Sequence, residues 1–126
     1  MYGIIATWRM ALEGISKADS MLKNNENAAD SIEEAIKVVE DFEYYKSVGY
    51  GGLPNEEMEV ELDAAFMDGD TLEFGCVGGI KDFANPVSIA RSLMHYDANN
   101  FLVGQGAEKY ASRHGFERKT MLTDRA

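Results

Sequence analysis

The chain has 126 residues, 45% hydrophobic and 27% charged, with a net charge of −10, two prolines and one cysteine. That length is one domain's worth, so residues 1–126 are read as a single domain burying roughly two-thirds of its unfolded surface. The acidity argues against nucleic acid and against an anionic membrane surface, which both call for clustered Lys and Arg. No apolar run approaches the roughly 20 residues of a membrane span. MYGIIATWRM has neither a basic leader nor a long apolar stretch ending at small residues, so it does not read as a signal peptide. Cys76 alone can make no internal disulfide and anchor no multi-cysteine metal site; the expected setting is reducing and cytoplasmic.

In chain order, Gly3 to Thr7 reads as a short strand leading to Trp8. Ala11, Ile15, Ala18 and Leu22 then recur at helical spacing. KNNEN at residues 23–27 breaks that helix, and Asn27 is a suitable N-cap for the next, with Asp30 in its first turn. This second helix is the clearest element. Ala28, Ile32, Ala35, Ile36, Val39 and Phe42 form one stripe, and Glu33, Glu34, Lys37 and Glu40 form the opposite face.

SVGYGGLPN at residues 47–55 is a glycine elbow. Gly49, Gly51 and Gly52 mark a backbone that turns where side chains would strike another segment or a ligand. Strict alternation follows, with Val60, Leu62, Ala64 and Phe66 on one face and Glu59, Glu61 and Asp63 on the other, the period of a half-buried strand. Asp68-Gly69 predicts a two-residue hairpin turn, and Thr71 to Val77 a returning strand. Small residues from Gly75 to Gly79 predict a close neighbouring layer. Asn85-Pro86 predicts a third helix, Asn as cap and Pro at its first position, with Ala90, Leu93 and Met94 inward. Asn100 to Val103 reads as a strand running into a helix near Gly106 to His114, closed by Gly115 and Phe116. Residues 117–126 read as a polar tail. Helices stacked beside an antiparallel hairpin predict an α+β layered fold.

No catalytic constellation stands out. His95 and His114 fall in the last turns of separate helices, where a partly exposed imidazole complements the dipole. Cys76 reads as a small buried hydrophobe. The acidic run Glu56, Glu57, Glu59, Glu61 lacks the alternate Asp or Asn, central Gly and closing Glu of a calcium loop, and reads as solvated strand. Asp63, a charge inside a strand, is expected to accept from nearby backbone amides and hold the hairpin to the elbow. The elbow is no phosphate cradle, since Leu53-Pro54 follows its last glycine instead of Lys and Ser or Thr. Trp8 alone reads as a core aromatic at a sheet edge.

SVGYGGLPN, LDAAFMDG (62–69), NPVSIAR (85–91) and FLVGQGAEKYA (101–111), in that order, resemble the α-subunit of glycosylasparaginase and its neighbours, the plant-type asparaginases and isoaspartyl peptidases. All are N-terminal-threonine hydrolases, and the likeness runs from about Gly3 to about Thr123. It implies half of a four-layer αββα sandwich, completed by a β-subunit, in an (αβ)2 assembly. Such a half would be poorly stable alone. It also implies a small β-aspartyl amide substrate, no cofactor or metal, and a nucleophilic threonine heading the β-subunit after self-cleavage. No catalytic residue is therefore expected here, since Thr7, Thr71, Thr120 and Thr123 are all internal. Trp8 matches the family's substrate-site tryptophan, and Ser47 a serine reaching the same pocket. SVGYGG favours N4-(β-N-acetylglucosaminyl)-L-asparagine as substrate. Asparagine or a β-aspartyl dipeptide is the alternative, as is a binding module without the nucleophile-bearing half. Three departures stand out: the family's α-subunit runs past the position of Thr123 to a His-Asp pair, Met58 replaces a usual Gly, and Asn99 a usual His. The Met58 replacement predicts a loop of different shape.

Overall fold

A computed structural model describes every residue, Met1–Ala126. After a 3₁₀ turn at Arg9–Ala11 come α1 (Leu12–Lys23), α2 (Ala28–Glu40), β1 (Leu62–Met67), β2 (Phe74–Ile80), α3 (Pro86–Leu93), β3 (Phe101–Val103) and α4 (Gly104–Arg113). The fold is α+β, a three-stranded mixed sheet with four helices, and no helix is long and apolar enough to cross a membrane.

The sheet order is β1-β2-β3, with β1 antiparallel to β2 and β2 parallel to β3. A parallel neighbour requires a crossover, and α3 supplies it. Phe66, Val77 and Ile80 pack inward against Ile89, Ala90 and Leu93 of α3 and Ala107 and Ala111 of α4 in one buried cluster. Gly75 permits this closeness, because a Cβ there would lie 1.9 Å from the Ala90 carbonyl oxygen of α3. The predicted thin strand and close layer are therefore present. α1 and α2 pack on each other, and Arg91 ties α3 to α2 through ion pairs with Asp30 (2.6 Å) and Glu33.

The other face of the sheet is bare. Met67, Phe74, Phe101 and Val103 share it, because the register pairs Met67 with Phe74, Cys76 with Phe101 and Gly78 with Val103. Met67 is 58% exposed, Phe101 60% and Val103 61%.

Several local expectations hold. Asn27 caps α2, its Oδ1 accepting from the Asp30 amide at 2.8 Å. Gly115 takes a positive φ after α4, and the Phe116 amide reaches the Ala111 carbonyl at 3.0 Å.

Others are corrected. Gly3 to Thr7 forms no strand, because no strand lies beside it to pair with. The two-residue turn at Asp68-Gly69 is a longer one. Asp68 Oδ1 accepts from the Asp70 and Thr71 amides, Leu72 takes the positive φ, and β2 starts at Phe74 and ends at Ile80. α2 stops at Glu40, leaving Phe42 exposed against Tyr44 and Tyr45, and α4 starts at Gly104. The tail is docked: Met121 is buried in the main cluster, its carbonyl accepts from the Gly51 amide at 2.8 Å, and Phe83 bridges to Arg118.

The turn containing Met58 has a left-handed backbone at that residue. Met58 has φ 61°, and Asn55 Oδ1 accepts from the Glu57 and Glu59 amides around it.

Candidate functional site

Where the end of α2, the glycine elbow and the start of α3 converge, the chain departs most from its sequence pattern. Glu40 belongs to the polar face by helical spacing, yet it is only 5% exposed. The chain folds back over it. Tyr50 donates its amide to the Glu40 carbonyl at 2.7 Å. Gly49, at φ 59°, lies so close that a Cβ would sit 2.1 Å from the same oxygen. The glycine of the elbow is therefore explained by another segment of this chain, one of the two alternatives its sequence left open.

The Glu40 carboxylate also replaces the expected cap of α3. Asn85 has a left-handed conformation (φ 49°) and makes no side-chain cap. Its Nδ2 donates instead to Glu40 Oε2 at 3.2 Å and Asp41 Oδ1 at 2.9 Å. The Val87 amide, an open donor in the first turn of α3, donates to Glu40 Oε1 at 3.2 Å. Pro86 keeps its predicted place at the start of the helix. Burial pushes the Glu40 carboxyl up to about 7. The Asn85 and Val87 hydrogen bonds pull against that rise, and the negative charges of Asp41 and Glu33 add to it.

Ser47, exposed, lies on the rim of a cavity of about 340 Å³ whose lining includes Glu40, Gly49, Glu61, Asp63 and Val87. Trp8 lies on a second, larger cavity of about 780 Å³, in which 15 of the 17 lining residues are hydrophobic. Ile36, Val39 and Val48 line both, so the two cavities share a wall. Trp8 is 55% exposed, in extended conformation, and its carbonyl accepts from the Ala11 amide at 3.0 Å to open the 3₁₀ turn. It is not the core aromatic that its sequence context alone suggested. The structure thus brings Trp8 and Ser47 to neighbouring cavities, an indole wall on one side and a hydroxyl on the other.

The remaining candidates do other things. Asp63 accepts from the Gly79 amide at 2.8 Å, across a register shift between Leu62 and Ala64. It does bind a backbone amide, but of β2 rather than of the elbow. His114 Nδ1 lies 2.8 Å from the Tyr110 carbonyl and its ring stacks on Tyr110; His95 is exposed, 3.6 Å from Glu73. Both lie away from the two cavities. Cys76 is half-buried on the bare sheet face. No group of three or more His, Cys, Asp or Glu is placed to hold a metal ion.

Glu40 is the residue that sequence reasoning missed. The helical wheel misplaces it because α2 ends there and a non-local segment covers it. The one available signal is indirect: glycines at 49 and 51 require something solid beneath the elbow.

The family model described as asparaginase matches residues 5–126. Among known proteins, the chain is 35% identical over 120 residues to an N(4)-(β-N-acetylglucosaminyl)-L-asparaginase of Elizabethkingia miricola, covering 95% of this chain and 35% of that one. It is 36% identical over 120 residues to an isoaspartyl peptidase/L-asparaginase of Rattus norvegicus, covering 90% and 36%. It is 46% identical over 90 residues to a plant-type L-asparaginase of Pyrococcus abyssi, covering 71% and 29%. The chain therefore spans about a third of the length of these relatives. With the family model matched across almost all of its residues, the chain belongs to the asparaginase family of hydrolases.

Proposed function

We propose that residues 1–126 act as the α-subunit of an autoproteolytically processed threonine amidohydrolase that cleaves β-aspartyl amide bonds. N4-(β-N-acetylglucosaminyl)-L-asparagine is the favoured substrate. The observation that carries this reading is the pair of adjoining cavities bearing Trp8 and Ser47, on a chain of this family that spans about a third of its relatives. Trp8 would wall the substrate site with its indole, and Ser47 would donate or accept one hydrogen bond. The nucleophile would belong to the β-subunit. There, the N-terminal threonine's own α-amino group would take the hydroxyl proton as the oxygen attacks the side-chain carbonyl carbon. The C–N bond then breaks, the protonated amine leaves, and water releases aspartate from the threonine oxygen. The bare apolar sheet face supports a four-layer αββα sandwich, with the β-subunit's sheet lying on Met67, Phe74, Phe101 and Val103. Two αβ units would pair in the cytoplasmic enzyme.

The test is turnover by the complete protein of glycosyl-asparagine, asparagine and a β-aspartyl dipeptide. Fastest cleavage of the glycosylated substrate is expected. No turnover of any of the three would overturn the proposal. The second reading, an L-asparaginase or isoaspartyl peptidase, is favoured by relatives of those names at 36–46% identity, and the same assay separates it.

A further inference from the structure

We propose that Glu40 is a positioning residue, the post that fixes the Ser47-bearing elbow against the start of α3. The inference rests on the reading of Ser47 given above and names what holds it in place.

Glu40 is bound at both ends by segments remote in sequence. Its backbone carbonyl takes the Tyr50 amide at 2.7 Å, which pins the elbow. Its carboxylate takes the Val87 amide and the Asn85 carboxamide, both at 3.2 Å, which pins α3. Between the two, Gly49 lies against the Glu40 backbone with no room for a side chain. Ser47 is two residues from that contact, and Ser47, Gly49, Glu40 and Val87 line the same cavity. The elbow and α3 therefore share one buried residue, and a displacement of Glu40 is passed to the rim where Ser47 sits. A solvated glutamate would offer no such link. A side chain held on a supported backbone keeps its geometry, and one whose support is left loose does not.

Two variants of the complete protein test this. Glu40→Gln keeps size but faces the Asn85 amide with an amide of its own, and Asn85→Gly removes the carboxamide while tolerating the positive φ. If Glu40→Gln fails to fold, Asn85→Gly still reports. The first readout is amide hydrogen exchange. Residues 47–52 should exchange about tenfold faster, while the Asp68–Glu73 turn, which Glu40 does not touch, should be unchanged. The second is KM for whichever of the three amides is hydrolysed. Ser47→Ala and Glu40→Gln should each raise KM about fivefold with kcat little altered, and the double variant should be no worse than Ser47→Ala alone. Unchanged exchange in the elbow, or KM effects that multiply in the double variant, overturns the inference while leaving the pocket reading intact. Ser47→Ala without effect on KM overturns the pocket reading and this inference with it.

Discussion

The two faces of the three-stranded sheet are built to different standards. On the inner face Phe66, Val77 and Ile80 are buried under α3 and α4, and Gly75 is stripped of a side chain so that α3 can approach. On the outer face Met67, Phe74, Phe101 and Val103 stand in water, and the apolar cavity beside Trp8 is open as well. The same sequence that buries one surface leaves several large apolar side chains uncovered on the other. The contrast teaches where to look for each property. This chain's own packing is concentrated on the α3 side and along the elbow, and its uncovered apolar surface on the other side. A sheet sealed on both faces by its own helices, with Trp8 buried, would have argued against a subunit. Here one face is bare and Trp8 is 55% exposed.

The sharpest way to break the comparison is to damage the finished side. Gly49→Ala would force a Cβ to 2.1 Å from the Glu40 carbonyl at a φ of 59°. Left-handed strain and overpacking together should cost about 3 kcal/mol or more, seen as a large drop in the urea midpoint of the assembled protein. Gly69→Ala is the control: nothing lies within 4 Å of its Cβ position, and the change should stay within about 0.5 kcal/mol.

Glu40 provides a titratable version of the same test. Its carboxyl would lose its proton near 4.5 in the unfolded chain and near 7 in the folded one, because burial disfavours the charge. Between those values the folded state holds the extra proton. Stability from this group is therefore complete below pH 4.5 and falls as pH rises through about 7. At about 1.4 kcal/mol per pH unit, the loss is on the order of 3 kcal/mol. Unfolding free energies measured from pH 4.5 to 8 should show that decline, and Glu40→Gln should remove it. A Glu40→Gln protein with the same pH slope would mean the charge is not buried.

The unfinished side should respond differently. If the outer face is covered by a second sheet, Phe101→Ser removes buried apolar surface only in the assembly. The expected loss is about 2 kcal/mol, read as weaker association of the chain with the rest of the protein. An unchanged association would leave the outer face uncovered, and the four-layer sandwich without its contact surface.

What could be read from the sequence divides along the distance between partners. The Asn27 cap was legible because donor and acceptor are three residues apart, and the Gly115–Phe116 closure because it uses the turn just before it. The alternation from Leu62 to Phe66 was legible because a half-buried strand writes its own pattern, although Glu59 to Glu61, which continue the pattern, lie before β1 begins. The cap of α3 was not, since the carboxylate that supplies it comes from Glu40, 47 residues from Val87. The same long-range contact moved Glu40 from the solvent face to the interior. Gly3 to Thr7 has strand-forming residues, but a strand is completed by a neighbour, and none lies there. At the candidate site, the resemblance picked out Trp8 and Ser47. That they stand on adjoining cavities with Ile36, Val39 and Val48 between them is a property of how α2 and the elbow meet, which no local pattern encodes.

Met58 yields the smallest effect and tests how far the likeness extends into loop shape. The resemblance implies a usual glycine there, and from its replacement a changed loop was the expectation. The backbone takes a φ of 61° at Met58, a conformation glycine reaches most readily, braced by Asn55 Oδ1 on the Glu57 and Glu59 amides and by the Asn55–Glu59 backbone bond of 2.9 Å. The turn's geometry is thus set by Asn55 rather than by the residue at its corner. A methionine in that conformation carries about 1–2 kcal/mol of steric strain, because its Cβ crowds the following carbonyl. Glycine would relieve the strain but lose more chain entropy on folding, offsetting about 0.5–1 kcal/mol of the gain. Met58→Gly should therefore stabilise the protein by about 0.5–1 kcal/mol, a rise of a few degrees at most in thermal midpoint, with no change in substrate turnover. If the variant were destabilised, the half-exposed Met58 side chain would have to be making a contact in the assembled protein that the isolated chain lacks. The elbow's surroundings would then extend to the partner's surface.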